Sequence, residues 1–170
     1  LHFVPFHMQL YYIMPEHTSD CVIQVLDMIE ESIGSELFAQ LFEVILTDNG
    51  HEFWNLNAME RSITSGNRTK VFFCDPNRSD QKGACENNHK LLRCILPKGM
   101  SIDHLMQADM VMITNHINSY RRKSLYGHSP YDLAMNMIPK DFFILLGLEL
   151  IEPQEVVLKP SLLKQLNSSR

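Results

Sequence analysis

The run Val44-Ile45-Leu46, closed by Thr47-Asp48-Asn49-Gly50, constrains the fold of this chain more than any other segment. Three consecutive apolar residues, two of them β-branched, suit a short strand and give no amphipathic helical face. The Asn-Gly pair behind them marks a turn. A continuous apolar run of this kind reads as a strand buried on both faces, typical of the centre of an α/β sheet. Helical spacing comes just before it. Val22, Val25, Leu26, Ile29 and Ile33 fall on one stripe, Thr18 or Ser19 can cap its start, and Gly34 ends it.

The rest of the chain repeats this alternation. Leu1 to Val4 and Met8 to Met14 read as an extended hairpin around Pro5. A helix is expected within 55–63, a loop at 65–68, and a strand at Val71-Phe72-Phe73-Cys74 ended by Asp75-Pro76. Another helix is expected from Gly83 to about Leu96. Ser101 is expected to cap a long helix with Ile102, Met106, Met110, Ile113 and Ile117 on one stripe. Gly127 breaks the chain, and Ser129-Pro130 with Asp132 marks another helix start. The order predicts an α/β fold, a mixed sheet with helices on both faces. Residues 1–150 read as the folded core and 151–170, with weak periodicity and Pro153 and Pro160, as a tail.

Composition narrows the class. At 170 residues, 45% hydrophobic and 21% charged, the chain can bury a core without disulfide or metal staples. The formal charge of −5 argues against a free-standing, nonspecific nucleic-acid binder but leaves room for a local basic patch. No run approaches the roughly 20 apolar residues of a membrane span, and the N-terminal stretch lacks the marks of a signal peptide. No CxxC pair occurs among Cys21, Cys74, Cys85 and Cys94, so reduced thiols in a cytoplasmic setting are expected. The first residue is Leu, so the chain is expected to be a piece of a longer protein or a processed one.

Two places carry chemistry. Asp48 stands where the expected strand ends, and the ends of strands in open α/β sheets are where ligands bind. On local pattern alone, Asp-Asn-Gly also reads as a plain turn. The second place is the helix after Gly83. Glu86, Lys90 and Arg93 share one face with His89 beside them, and Leu91, Leu92 and Ile95 lie opposite. This is either a solvated face with a Glu–Lys pair or a metal-binding carboxylate with phosphate-binding cations. The cluster Arg121-Arg122-Lys123 reads equally as a solvated loop or as phosphate contacts. Cys74, Cys85, His89 and Cys94 could be a zinc-binding set, but only Cys85 and His89 have a shared-face spacing.

Taken together the motifs are more specific. Thr47-Asp48-Asn49-Gly50-His51-Glu52-Phe53 follows a strand. Then come Asp75-Pro76, Gln81-Lys82-Gly83, Glu86-Asn87 opening a basic helix that ends in Leu91-Leu92-Arg93, and Pro97-Lys98-Gly99. Farther on stand Asn118-Ser119-Tyr120-Arg121 and Ser129-Pro130-Tyr131. The chain resembles the catalytic core of the retroviral integrase superfamily, and more closely the DDE transposases of the insertion sequence thirty family. That resemblance implies a ribonuclease-H-like fold and metal-dependent DNA strand cleavage and strand transfer. It implies Asp48 and Glu86 as the second and third catalytic acids, holding two Mg²⁺ or Mn²⁺ ions roughly 3.5–4 Å apart. Lys90, Arg93, Arg121, Arg122 and Lys123 become candidate contacts to the DNA backbone. DNA is the implied partner, and a homo-oligomer the implied working form.

The sequence also departs from the family. No Asp or Glu precedes Glu16, so the first catalytic Asp and its strand are expected to lie outside this chain. The interval from Asp48 to Glu86 is a few residues longer than is common, with the extra length expected in the loop at 65–70. The isolated chain is therefore expected to be inactive. A non-catalytic interaction or nucleic-acid-binding module on the same fold is the alternative, favoured by the negative charge and the missing acid.

Overall fold

The computed structural model describes residues 1–74 and 83–163, giving only the helical backbone for residues 83–87. Asp75-Pro76 and Gln81-Lys82 of the motif lie outside the described residues. The chain is a mixed α/β protein with two compact units, residues 14–81 and residues 1–13 with 82–170.

The unit of residues 14–81 is built on α1 (Ser19–Ile33), α2 (Ser35–Leu41), β3 (Val44–Thr47), α3 (Leu56–Glu60) and β4 (Lys70–Phe73). Thr18 caps α1 as expected, its hydroxyl accepting from the Cys21 N–H at 3.4 Å. Val22, Val25, Leu26, Ile29 and Ile33 are buried along one stripe. Gly34 ends the helix at φ +85°, a conformation that costs glycine no Cβ clash. β3 and β4 pair in parallel, Ile45 opposite Val71 and Leu46 opposite Phe72.

The expectation that β3 is buried on both faces is corrected. Thr47 is buried and Ile45 partly so, but Val44 is 56% and Leu46 50% exposed. Successive side chains of a strand point to opposite faces, so Val44, Leu46 and Phe72 share the open one. Apolar character at every position reports that a residue tolerates burial, not that another layer covers it.

The loop at 65–68 ends in a second surprise. Arg68 is fully buried, with its guanidinium against Asp27 and Glu30 of α1. A segment read as a tolerant surface loop therefore ends on the polar centre of this unit.

The other unit contains β1 (His2–Phe3), β2 (Met8–Gln9), α4 (Gly83–Ile95), α5 (Gln107–Ser119), α6 (Pro130–Ala134) and α7 (Lys140–Leu145). β1 and β2 are antiparallel about a 3-10 turn at Val4–Phe6. Among the described residues the strands form two separate pairs, not the single mixed sheet expected.

The second limb of the hairpin is also shorter than expected, because α5 side chains do the work of a strand. Asn118 brackets Gln9, accepting from its N–H at 2.8 Å and donating to its carbonyl at 2.7 Å. The Thr114 hydroxyl accepts from Tyr11 N–H, and Gln107 bonds both Tyr11 O and Ile13 N. Residues 107, 114 and 118 lie two and three turns apart on one helix face. They satisfy the backbone of 9–13, which would otherwise need a neighbouring strand.

The helix expected to be capped by Ser101 starts five residues later. The Asp109 carboxylate accepts from the Met106 N–H at 2.7 Å and sets the start there. Ser101 instead spends its hydroxyl on Asp103 in a local turn. Of the predicted stripe, Met110, Ile113 and Ile117 are buried, whereas Ile102 and Met106 are exposed. Ser129 and Asp132 form the expected capping box of α6.

Met110, Ile113 and Ile117 pack with Ile95, Leu96, Leu162 and Leu163. Two leucines of the stretch expected as a tail thus belong to this core. The backbone leading to them is held by buried polar groups of α5: Ser119 accepts from Ile151 N–H, and His116 Nδ1 from Val157 N–H at 3.1 Å. That last bond needs an unprotonated Nδ1. Burial holds His116 below its ordinary 6.5. A folded value lowered in this way supports stability above the ordinary value and withdraws it as pH falls through 6.5 towards the folded value. Protection of the Val157 amide, taken relative to the intrinsic exchange rate at each pH, should fall over that range, and in His116→Gln this acid sensitivity should largely vanish.

Candidate functional site

Asp48 directly follows β3, at the carboxyl end of a parallel strand pair. The ladder carries on to its edge, since Cys74 N–H donates to Thr47 O at 2.7 Å. The Asp48 side chain is exposed. The chain then turns at Gly50 into a 3-10 turn, His51–Phe53, and Asn55 caps α3 by accepting from Ala58 N–H. Strand end, exposed carboxylate and tight turn are local consequences of the sequence 44–55.

This turn also brings together residues that sequence reasoning did not assemble. Glu52 is buried, 7% exposed, despite its charge. Its Oε1 lies 2.8 Å from His17 Nε2 and its Oε2 3.7 Å from His51 Nδ1. The imidazoles of His17 and His51 meet edge to face with centroids 5.2 Å apart. The available signal was Glu52 beside His51 and ahead of Phe53-Trp54, a second carboxylate close behind Asp48. Nothing local pointed to His17, more than 30 residues upstream.

Glu86 lies on α4, and its side chain is outside the described residues. Lys90 and Arg93 are exposed, Leu91 and Leu92 half-buried and Ile95 fully buried, as the helical wheel requires. Arg121 and Lys123 are exposed too. Arg122 is half-buried and donates from Nη2 to Ile117 O at 3.3 Å, and burial lowers its pKa. Arg121 borders a shallow concavity of about 720 Å³ with Tyr126, His128 and Asp132. Asp48 belongs to the unit of residues 14–81, whereas Glu86, Lys90, Arg93 and 121–123 belong to the other.

Among the described residues, the zinc alternative gains no support. Cys74 is a half-buried free thiol, and exposed Cys94 donates to Lys90 O within α4. Cys85 lies where side chains are not described. The cluster able to hold a metal among the described residues is His17, His51 and Glu52.

In class, then, this is a mixed α/β protein with an acidic strand end and a helix that carries exposed cations. In sequence it is similar to transposases of bacterial insertion sequences, including those of the IS30 type. It is 32% identical over 102 residues to the transposase for insertion sequence element IS1086 of Cupriavidus metallidurans, covering 60% of this chain and 29% of that protein. It is 34% identical over 85 residues to the IS4351 transposase of Bacteroides fragilis, covering 50% and 25%. It is 27% identical over 95 residues to transposase InsI for IS30A of Escherichia coli, covering 56% and 24%. The matched region thus spans less than a third of each of these relatives. No family model and no solved structure matches the chain. The resemblance read from the motifs is borne out by these relatives.

Proposed function

We propose that this chain is part of the core of a DDE-type transposase, which cuts and joins DNA strands with the help of divalent metal ions. The observation that carries the reading is the Thr47–Phe53 motif. Its Asp48 stands exposed at the end of a parallel strand, in a sequence similar to insertion-sequence transposases.

An exposed carboxylate at a strand end offers the oxygen donors that Mg²⁺ or Mn²⁺ prefers. In the complete site Asp48 and Glu86 would hold two such ions together with a third carboxylate. Ions held there would supply the chemistry of an in-line displacement at phosphorus, an activated oxygen nucleophile and a stabilised leaving oxygen. Lys90 and Arg93 project from α4 into solvent and suit contacts to phosphate, which position DNA without reading its sequence. Arg121 and Lys123 suit the same task. The fold proposed with this function is ribonuclease-H-like, its first strand bringing the remaining acid. The open apolar face of Val44, Leu46 and Phe72 supports a sheet with further cover. The setting is the bacterial cytoplasm, with oligomers acting on DNA ends. Among the described residues no helix is long and apolar enough to cross a membrane.

One feature favours a second reading, a non-catalytic interaction module: the net charge of −5. One experiment separates the two readings. Mn²⁺-dependent cleavage of a labelled DNA duplex is measured for this chain and for a version extended upstream through the first strand. The transposase reading expects cleavage by the extended form alone, reduced to background by Asp48→Asn and by Glu86→Gln. A folded extended form without cleavage, or cleavage indifferent to both substitutions, overturns it.

A further inference from the structure

We infer that His17, His51 and Glu52 form a binding site for one transition-metal ion of the zinc type. None of these residues belongs to the carboxylate set proposed for strand transfer, so this inference stands independently of that reading.

The argument begins with protons. His51 Nε2 lies 2.9 Å from the carbonyl oxygen of His17. A carbonyl only accepts, so Nε2 carries the hydrogen, and in the neutral ring Nδ1 is left with its lone pair. That lone pair faces Glu52 Oε2 at 3.7 Å. Oε2 is buried and has no hydrogen-bond donor. With the ring neutral, two electron-rich atoms face each other across this gap, and the carboxylate oxygen is closed off from solvent. A buried carboxylate needs a compensating partner. A cation in the gap supplies it.

The donor set selects the ion. Two imidazoles and one carboxylate match the ligands of open zinc sites, with a further position left for water or a fourth ligand. Imidazole suits Zn²⁺, Cu²⁺ or Ni²⁺, and Mg²⁺ prefers oxygen alone. The three ligand atoms lie within 4.8 Å of one another. Both histidine side chains are about two-thirds exposed, at 66% and 64%, so they can close the remaining distance to ligand bonds of about 2.0–2.2 Å by small rotations. The His51 Nε2–H to His17 carbonyl bond is the outer-shell contact that fixes a metal-binding tautomer.

The backbone is built for this closeness. A Cβ at residue 50 would lie 2.7 Å from Glu52 Cδ and 2.8 Å from Oε1, so glycine is what allows the carboxylate to fold back. Ser19 also donates to His51 O at 3.2 Å, tying the turn to the start of α1. A bound ion would clasp residue 17, just before α1, to the turn that follows Asp48.

The test is calorimetric titration of the purified chain with Zn²⁺, with Co²⁺ as a second probe read by its visible absorption. One ion per chain is expected, and in the neutral His17 ring the hydrogen facing Glu52 moves to Nδ1 so that Nε2 can offer its lone pair to the metal. His17→Gln and Glu52→Gln should each weaken binding by at least about tenfold and remove the Co²⁺ spectrum. His17 is exposed, so His17→Gln keeps its fold, as circular dichroism would verify. Serine variants of Cys74, Cys85 and Cys94 should bind as the parent does. Absence of stoichiometric uptake, uptake unchanged in folded His17→Gln and Glu52→Gln, or uptake lost in the cysteine variants overturns the proposal.

Discussion

Arg68→Leu is expected to lower the stability of the chain by about 3–5 kcal/mol, the cost of removing one partner from a buried ion pair. Arg68 Nη1 donates to Asp27 Oδ1 at 2.6 Å and to Glu30 Oε2 at 3.0 Å, and Nε donates to Met59 O at 2.9 Å. The guanidinium also lies over the Phe38 ring, 5.4 Å from its centroid. Glu30 is fully buried and further accepts from Ser62 Oγ and from Ile63 N–H. Leucine fills the space of the stem but leaves Glu30 charged with no cation beside it. Chemical denaturation measures the loss, and a change below about 1 kcal/mol would show that the network contributes little net stability.

The same network predicts a pH dependence. Burial alone would raise the Glu30 carboxyl, but its bonds from Ser62, Ser35, Ile63 and Arg68 outweigh that and hold it below its ordinary 4.5. Its contribution is full above that ordinary value and is lost as pH falls through the lowered folded value. In Arg68→Leu one of those bonds is gone, so acid unfolding should begin at higher pH. The double variant Arg68→Leu with Glu30→Leu should lose less than the sum of the single losses, because it leaves no unpaired carboxylate at residue 30.

Asn118→Leu is expected to cost about 2–4 kcal/mol, from two backbone groups of Gln9 left buried without partners. The amide of Asn118 is completely buried and satisfies the N–H and C=O of that residue together, as an adjacent strand would. Asn118→Asp keeps an acceptor for the N–H but sets a carboxylate against the carbonyl, so it should be no milder. Hydrogen exchange at Gln9 should rise in both variants. Exchange at Leu10, whose N–H donates to Leu1 O, should rise less. Unchanged exchange at Gln9 would mean that the bracket does not hold β2. Asn118 entered the sequence comparison as part of a motif leading into a basic cluster, and the structure gives it this bracing task.

The local features of the fold were legible in the sequence because neighbouring residues decide them. Thr18 capping α1, Gly34 ending it, and Ser129 with Asp132 opening α6 each depend on a side chain within a few residues of the backbone it serves. The face of α4 that carries Lys90 and Arg93 follows from the 3.6-residue period alone. The turn that leaves Asp48 at the end of β3 follows from the Asn49-Gly50 pair beside it. The resemblance to insertion-sequence transposases rested on these same short motifs, and the relatives agree with it.

What only the tertiary structure decided concerns polar groups whose partners are far away in the chain. The sequence shows Arg68 in a polar stretch and cannot show that Asp27 and Glu30, about 40 residues earlier, meet it. It shows Thr114, Asn115, His116, Asn118 and Ser119 as a polar run and cannot show that each is buried. It shows Val44-Ile45-Leu46 as apolar and cannot show which face finds cover. Hydrophobic pattern and capping are set by spacing along one segment. The compensation of a buried charge or of an unpaired strand edge depends on which distant segment supplies the missing donor, and that is settled only when the chain closes on itself. His17 meeting Glu52 is the clearest case, for neither residue carries a local sign of the other.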